Sequence, residues 1–297
     1  MKTALDEYRK AQTVFTKAYS DLVASVDFGD SEIIANEFEF VEGLADSKFF
    51  NEKDMVPTDV PMMNVALSGS VDGGLAPGLT VLAGPSKHFK TSFALIMASA
   101  YLKKYEDAAL LFYDSEFGSP QEYFQNFGID TDRVLHTPIT NVEELKFDLI
   151  NQLENLDRDD KVVVVIDSVG NLASKKELED AINEKSVADM SRAKALKGLF
   201  RMCTPYLNMK NIPMIAVNHT YKEIGLFPKD VVSGGTGIYY SADNIWILGR
   251  RQDKQGTEIK GYHFVINVEK SRYVKAVSYT HLRAHETDSY LVCRLLL

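Results

Sequence analysis

Residues 79–91 read LTVLAGPSKHFKT, a strand-length apolar run that breaks at glycine into a short basic turn. The helix-period stretch FALIMASAYLKKY, from residue 93, follows it. Strand, glycine turn, Lys-Thr and helix in that order nearly spell a P-loop, in which backbone N–H groups and a helix N-terminus point at phosphate oxygens. The strict spacing G-x-x-x-x-G-K-[ST] fails at Phe89, where a second glycine is expected. The candidate cradle is Gly84, Pro85, Ser86, Lys87, His88, Phe89, Lys90, Thr91 and Ser92. Lys90 would neutralise phosphate charge and Thr91 would ligate a magnesium ion. A basic strand-to-helix turn with no ligand is the alternative.

Outward from this turn the chain alternates. ALLFYDSE (109–116) is strand-like and PQEYFQNFG (120–128) helix-like; Asn141 with Glu144 reads as a capping box that opens a helix through Leu156. KVVVVIDS (161–168) is continuous and β-branched enough for a buried central strand. A helical region near 187–208 leads to the strand IPMIAVNHT (212–220). Such alternation predicts an α/β fold, a mostly parallel twisted sheet with helices on both faces. DNIWILGRRQ and KGYHFVINVEKSR flank the turn DKQGT, which predicts an antiparallel hairpin at one sheet edge.

Composition excludes several classes. At 297 residues, with 45% hydrophobic and 25% charged, the chain is an ordinary globular protein of one large domain or a core with an appendage. Two cysteines cannot form a disulfide framework and no metal-ligand spacing accompanies them. No apolar run approaches the roughly 18 residues needed to span a bilayer, and the N-terminus is no secretory signal; a cytoplasmic protein with no membrane partner is expected. The net charge of -9 is uneven. Residues 1–60 hold 13 acidic against 6 basic side chains, leaving 29 against 27 in the remainder. Residues 1–45, an acidic amphipathic helix followed by the strand-like FEFV, read as a docking arm or as a solvated helix capping its own domain.

Two carboxylate-ended strands complete the candidate chemistry. Asp167 closes KVVVVIDS, where a carboxylate would face a metal across the sheet's carboxyl edge. Glu116 closes ALLFYDSE, placed to orient or deprotonate a water in phosphoryl transfer.

GPSKHFKT, FYDSEFG, VVVIDSVGNLASKKE, AVNHTY, GGTG and NVEKSR, in this order and spacing, resemble the RecA-type recombinases, most closely the UvsX branch of tailed phages. The resemblance covers roughly residues 46–275. UvsX proteins similarly carry phenylalanine at the position of Phe89. It implies a RecA-like ATPase core and a DNA-dependent ATPase that uses ATP and Mg2+ to give ADP and phosphate, with a further step to AMP left open. It also implies a helical filament of the chain with itself on single-stranded DNA, which pairs with homologous double-stranded DNA in recombination, repair and recombination-dependent replication. A recombination mediator and a single-strand-binding protein are the implied partners, in the host cytoplasm if the gene is a phage's. The catalytic glutamate matches Glu116, Walker B matches Asp167, and Tyr123 stands at the spacing of an adenine-stacking tyrosine. His219 takes the place of a γ-phosphate-sensing glutamine.

The resemblance also places two DNA loops. The first spans Asn171 to Asp189, with Lys175, Lys176 and Lys185 for phosphates, although five acidic residues share it and a solvated helix face is the alternative. The second runs from Tyr221 to Tyr239 with Lys222, Phe227, Lys229, Gly234 and Gly235; glycines permit close backbone approach and lysines a sequence-independent attraction. Lys270 and Arg272 match a cation pair that reaches a neighbouring protomer's γ-phosphate. Residues 276–297 (AVSYTHLRAHETDSYLVCRLLL) look foreign to the family, like adapter-derived read-through, and native sequence is expected to end near Lys275. Two competing readings are a RecA-fold helicase-type motor and a non-hydrolysing nucleotide-gated assembly protein, the latter disfavoured by Glu116.

Overall fold

The structure, a computed structural model, describes residues 54–183, 191–223, 229–255, 258–274, 279–287 and 290–293; at 255, 258, 259 and from 279 onward this covers the backbone alone. All of these fall in the compact unit Lys53–Leu297. The expected arm, residues 1–45, lies outside the described residues.

In chain order the elements are α1 (Pro61–Ser68), β1 (Gly78–Ala83), α2 (Lys90–Lys104), β2 (Ala109–Asp114), α3 (Gln121–Asn126), β3 (Val134–Pro138), α4 (Val142–Asn155) and β4 (Val162–Asp167). They continue with α5 (Lys175–Ile182), α6 (Ser191–Met209), β5 (Pro213–Asn218), β6 (Thr220–Lys222), β7 (Asp230–Val232), α7 (Thr236–Ser241), β8 (Asn244–Gln255), β9 (Glu258–Ser271), β10 (Tyr279–Thr287) and β11 (Tyr290–Cys293). Nine strands form one sheet in the order β11-β10-β9-β8-β1-β5-β4-β2-β3, and β6 pairs with β7 separately.

From β8 to β3 every neighbouring pair is parallel. β1, β4 and β5 are buried at all their positions, as strands covered on both faces must be. The strict alternation of side chains sorts them into two cores. Leu82, Phe112, Val163, Val165, Val217 and Trp246 pack with α1 and α2, whereas Val81, Tyr113, Val164, Ile166 and Ala216 pack with α4 and α6. In α4, Leu145, Leu149 and Leu153 recur every fourth residue and are fully buried, one apolar stripe of a helix whose exposed face carries Phe147 among polar residues. Asn141 caps it as expected, accepting from the Glu144 N–H at 2.9 Å, and the returning Glu144 carboxylate accepts from the Thr140 N–H and Oγ1 at 3.0 and 2.7 Å.

The β8–β9 hairpin is antiparallel, with irregularities at Ile245/Trp246 and Asp253/Lys254. Two further antiparallel strands continue the sheet beyond it, β10 pairing Tyr279 with Asn267 through His285 with Gly261. Both come from the stretch whose sequence looks foreign.

Cys203 lies buried in α6, and burial pushes its thiol up to about 12. Since only the thiolate attacks thiol reagents, in a Cys293→Ser background an aromatic disulfide reagent at pH 8 should label Cys203 only after unfolding. Rapid labelling of the native chain would show that α6 opens from the sheet.

Candidate active site

The parallel register brings the carboxyl ends of four strands to one edge. Ala83 pairs with Asn218 and Asp114 with Asp167, so the turn after β1 and the termini of β2, β4 and β5 surround a cavity of about 420 Å³. It is lined by the turn from Ser86 to Ser92 and by Glu116, Tyr123, Asp167, Val217, His219 and Arg250.

The turn achieves without its second glycine what that glycine would supply. Phe89 sits in the left-handed region at φ 58°, as does Lys87 at φ 62°, a conformation that costs a non-glycine residue roughly 1–2 kcal/mol. The Phe89 ring offsets this by packing edge-on against Phe264 at 5.2 Å and near Tyr262 at 6.0 Å. Helix α2 then starts at Lys90. Lys90 is buried, donates to the Pro85 carbonyl at 3.0 Å, and has its pKa lowered by desolvation, with Glu116 and Asp167 opposing that shift.

Thr91 Oγ1 donates to Asp167 Oδ2 at 2.6 Å. Burial pushes Asp167 up to about 6, reinforced by the nearby carboxylates of Glu116 and Asp114 and opposed by Thr91 and Lys90. Two hard oxygens converging next to a basic turn suit magnesium, which is usually held by one or two protein oxygens with substrate phosphates and water completing its shell. Among the described residues no cluster of three or more His, Cys, Asp or Glu provides an all-protein metal cage.

Glu116 is the hub of the site. Its Oε1 accepts from Ser168 Oγ at 2.9 Å and Asn171 Nδ2 at 3.0 Å, with His219 Nε2 at 3.3 Å. His219 Nε2 also lies 3.2 Å from Asn171 Oδ1. Both neighbours are acceptors, which assigns the ring proton to Nε2. Desolvation lowers the His219 pKa, aided by Lys90 and opposed by Glu116, so the imidazole is neutral at pH 7. Ser115 ties β2 to β4, donating to the Ser168 carbonyl at 2.7 Å and accepting from the Ser168 N–H at 3.0 Å. Gly170 leaves room for the imidazole, since a Cβ there would lie 2.3 Å from His219 Cδ2. Tyr123 faces the cavity with its hydroxyl 2.7 Å from Ser92 Oγ and its ring edge-on to Phe127.

Other expected site residues lie elsewhere. Lys175 and Lys176 open α5, an exposed helix with a full capping box between Ser174 and Glu177, within the segment that the resemblance places as the first DNA loop. Lys222 pairs with Asp230 at 2.9 Å across the β6–β7 ribbon, and Lys229 is exposed beside it. Gly234 and Gly235 have φ of 99° and 77°, and the neighbours they approach are Leu196 and Ala193 of α6. Lys185 and Phe227 lie outside the described residues. Lys270 donates to the Tyr239 and Tyr240 carbonyls at 2.8 and 3.3 Å, and Arg272 is ion-paired with buried Asp243. Both stand by Asn244 and Leu79, at the opposite end of β1 from the cradle. Sequence reasoning missed Val217, Arg250, Asn171 and Ser168 as parts of the site; the last two follow Asp167 so closely that the motif itself pointed at them.

The RecA N-terminal domain model matches residues 41–284. The chain is 56% identical over 246 residues to the recombination and repair protein of Enterobacteria phage T4, an alignment that spans 83% of this chain and 63% of that protein. It is 26% identical over 225 residues to the protein RecA of Aquifex pyrophilus, and 29% over 226 to that of Acidothermus cellulolyticus, each spanning 74% of this chain and 62% of the relative. The chain belongs to the RecA family. It spans less than two thirds of the length of these relatives.

A depressed histidine pKa means the native state takes up its proton later than the unfolded chain, so this contribution to stability is present above pH 6.5 and is lost on acidification. By NMR, His219 should titrate below 6.5. Gly170→Ala, whose methyl displaces the ring toward water, should bring the midpoint back up; a midpoint at or above 6.5 in the unsubstituted chain would refute the desolvated geometry.

Proposed function

We propose that the chain carries the ATPase core of an ATP-dependent DNA strand-exchange recombinase. The observation that carries this reading is the convergence of Lys90, Thr91, Asp167 and Glu116 on one cavity at the carboxyl edge of the parallel sheet. The turn from Gly84 to Phe89 wraps the phosphates, and Lys90 neutralises their charge. Thr91 and Asp167 would hold the magnesium, which when bound supplies charge neutralisation along the phosphate chain. Glu116 Oε1 takes all three contacts described for its carboxylate, which leaves Oε2 to orient the attacking water and take its proton. The water oxygen bonds to the γ-phosphorus as the bond to ADP breaks. Tyr123 would stack on the adenine.

The DNA contacts proposed are Lys175, Lys176, Lys185, Lys222, Phe227, Lys229 and the Gly234–Gly235 turn, with His219 and Asn171 linking both segments to Glu116. Lys270 and Arg272 would complete a neighbour's site, not their own. β1 alone spans about 16 Å at ~3.3 Å per residue, farther than one side chain extends. A contact between one end of the sheet and the other end of the next copy is heterologous, and with a rotation that does not close it yields a filament. Residues 1–45 are the proposed docking arm. Single-stranded and homologous duplex DNA, a mediator and a single-strand-binding protein are the proposed partners, in the host cytoplasm, as the phage relative suggests. Among the described residues no helix is long and apolar enough to cross a membrane.

ATP turnover measured with and without single-stranded DNA, alongside electron microscopy, tests the reading: DNA-stimulated hydrolysis on helical filaments is expected, and rings or absent turnover would overturn it. Lys90→Ala should reduce hydrolysis to background, and near-normal turnover would refute the cradle assignment. Mixing Lys90→Ala with Arg272→Ala protomers should restore part of the activity, because some interfaces then join an intact cradle to an intact cation; no recovery in co-assembled mixtures would exclude action in trans.

A further inference from the structure

Arg250 belongs to no motif of the family resemblance, yet it lines the cavity. It stands three residues past Ile247, the partner of Ala83, so β8 carries it beyond the end of β1 and alongside the turn. The even-numbered side chains Trp246 and Leu248 before it point into the core beneath α2, and Arg250 continues that face outward to where the core ends and the cavity begins. Its guanidinium lies 4.5 Å from the centre of the Tyr262 ring and 5.8 Å from that of Phe89. Among the described residues no carboxylate neutralises it; its described neighbours are these ring faces.

A guanidinium lying over two aromatic ring faces is held in place and partly desolvated, while its N–H groups remain available to an acceptor. The cavity's remaining cations, Lys87 and Lys90, come from the turn itself. We infer that Arg250 is a nucleotide-binding residue of the same protomer, a second fixed cation that donates to the phosphate chain of the bound nucleoside triphosphate. The phenylalanine in place of glycine at position 89 has a part in this, because its left-handed backbone turns the ring toward Tyr262 and supplies one wall of the platform on which the guanidinium rests. The inference rests on the cavity being a nucleotide site.

The test uses the full 297-residue chain with a fluorescent ATP analogue, and unlabelled ATP and adenosine as competitors. Arg250→Met keeps a long apolar stem on the rings and removes the charge; Arg250→Gln carries the same test should the methionine variant unfold. Loss of a charge-assisted hydrogen bond to phosphate should weaken ATP binding by about tenfold or more, with adenosine binding unchanged, the thermal midpoint preserved and Arg250→Lys closer to the unsubstituted chain. ATP affinity within twofold of the unsubstituted chain would overturn the inference. So would parallel losses for ATP and adenosine, the sign of a packing role. ATP binding that needs Lys90 and ignores Arg250 removes this inference alone; ATP binding absent from the unsubstituted chain removes the nucleotide site along with it.

Discussion

Everything in this site depends on a buried ammonium, Lys90, and a buried carboxylate, Asp167, facing one cavity at the place where parallel strands end. Lys90 has one described hydrogen-bond partner, the Pro85 carbonyl, and burial already weighs against its charge. Asp167 is buried beside two other acidic groups and is pushed toward protonation. Burying an ionised group costs several kcal/mol, and the net shift of both groups toward their neutral forms shows that their neighbours offset this only in part. Phosphate oxygens against Lys90 and a divalent cation against Asp167 would complete both at once. The sheet tolerates the arrangement because β1, β4 and β5 are buried along their whole lengths and hold their ends rigidly in register.

The second layer of the design is Glu116. Ser168 and Asn171, from the segment after β4, and His219, from the end of β5, all meet the same carboxylate oxygen. A displacement of either segment must change the hydrogen bonding of the group proposed to handle water. Gly170 lies so close to His219 that a Cβ there would meet the imidazole, which puts the two segments in direct contact. The proposed DNA contacts continue from these segments, so DNA binding and hydrolysis would share a physical link without a long chain of intermediaries.

Much of this was legible in the chain. The alternation of 79–220 predicted the parallel sheet, and Asn141 with Glu144 marked the start of α4 to the residue. Glu116, Asp167 and the 84–91 turn were visible because short motifs at strand ends carry their chemistry locally. Ser174-Lys-Lys-Glu177 carries a capping signature in its spacing, and the segment that the resemblance places as the first DNA loop holds the capped helix α5. Arg250 could not have been found, because it sits mid-strand with no spacing to distinguish it from its neighbour Arg251. Its place is set by the register of β8 against β1 and by rings from two other elements.

The sequence by itself determined the family, the order of elements and the types of group available for phosphate chemistry, since these depend on local periodicity and on residues a few positions apart. Which groups touch was decided only by the tertiary structure. Glu116, Ser168, Asn171 and His219 are brought together by strand pairing over more than a hundred residues of chain. Lys270 and Arg272 are kept from that same cluster by the length of one strand, because an antiparallel return delivers them to the far end of the sheet.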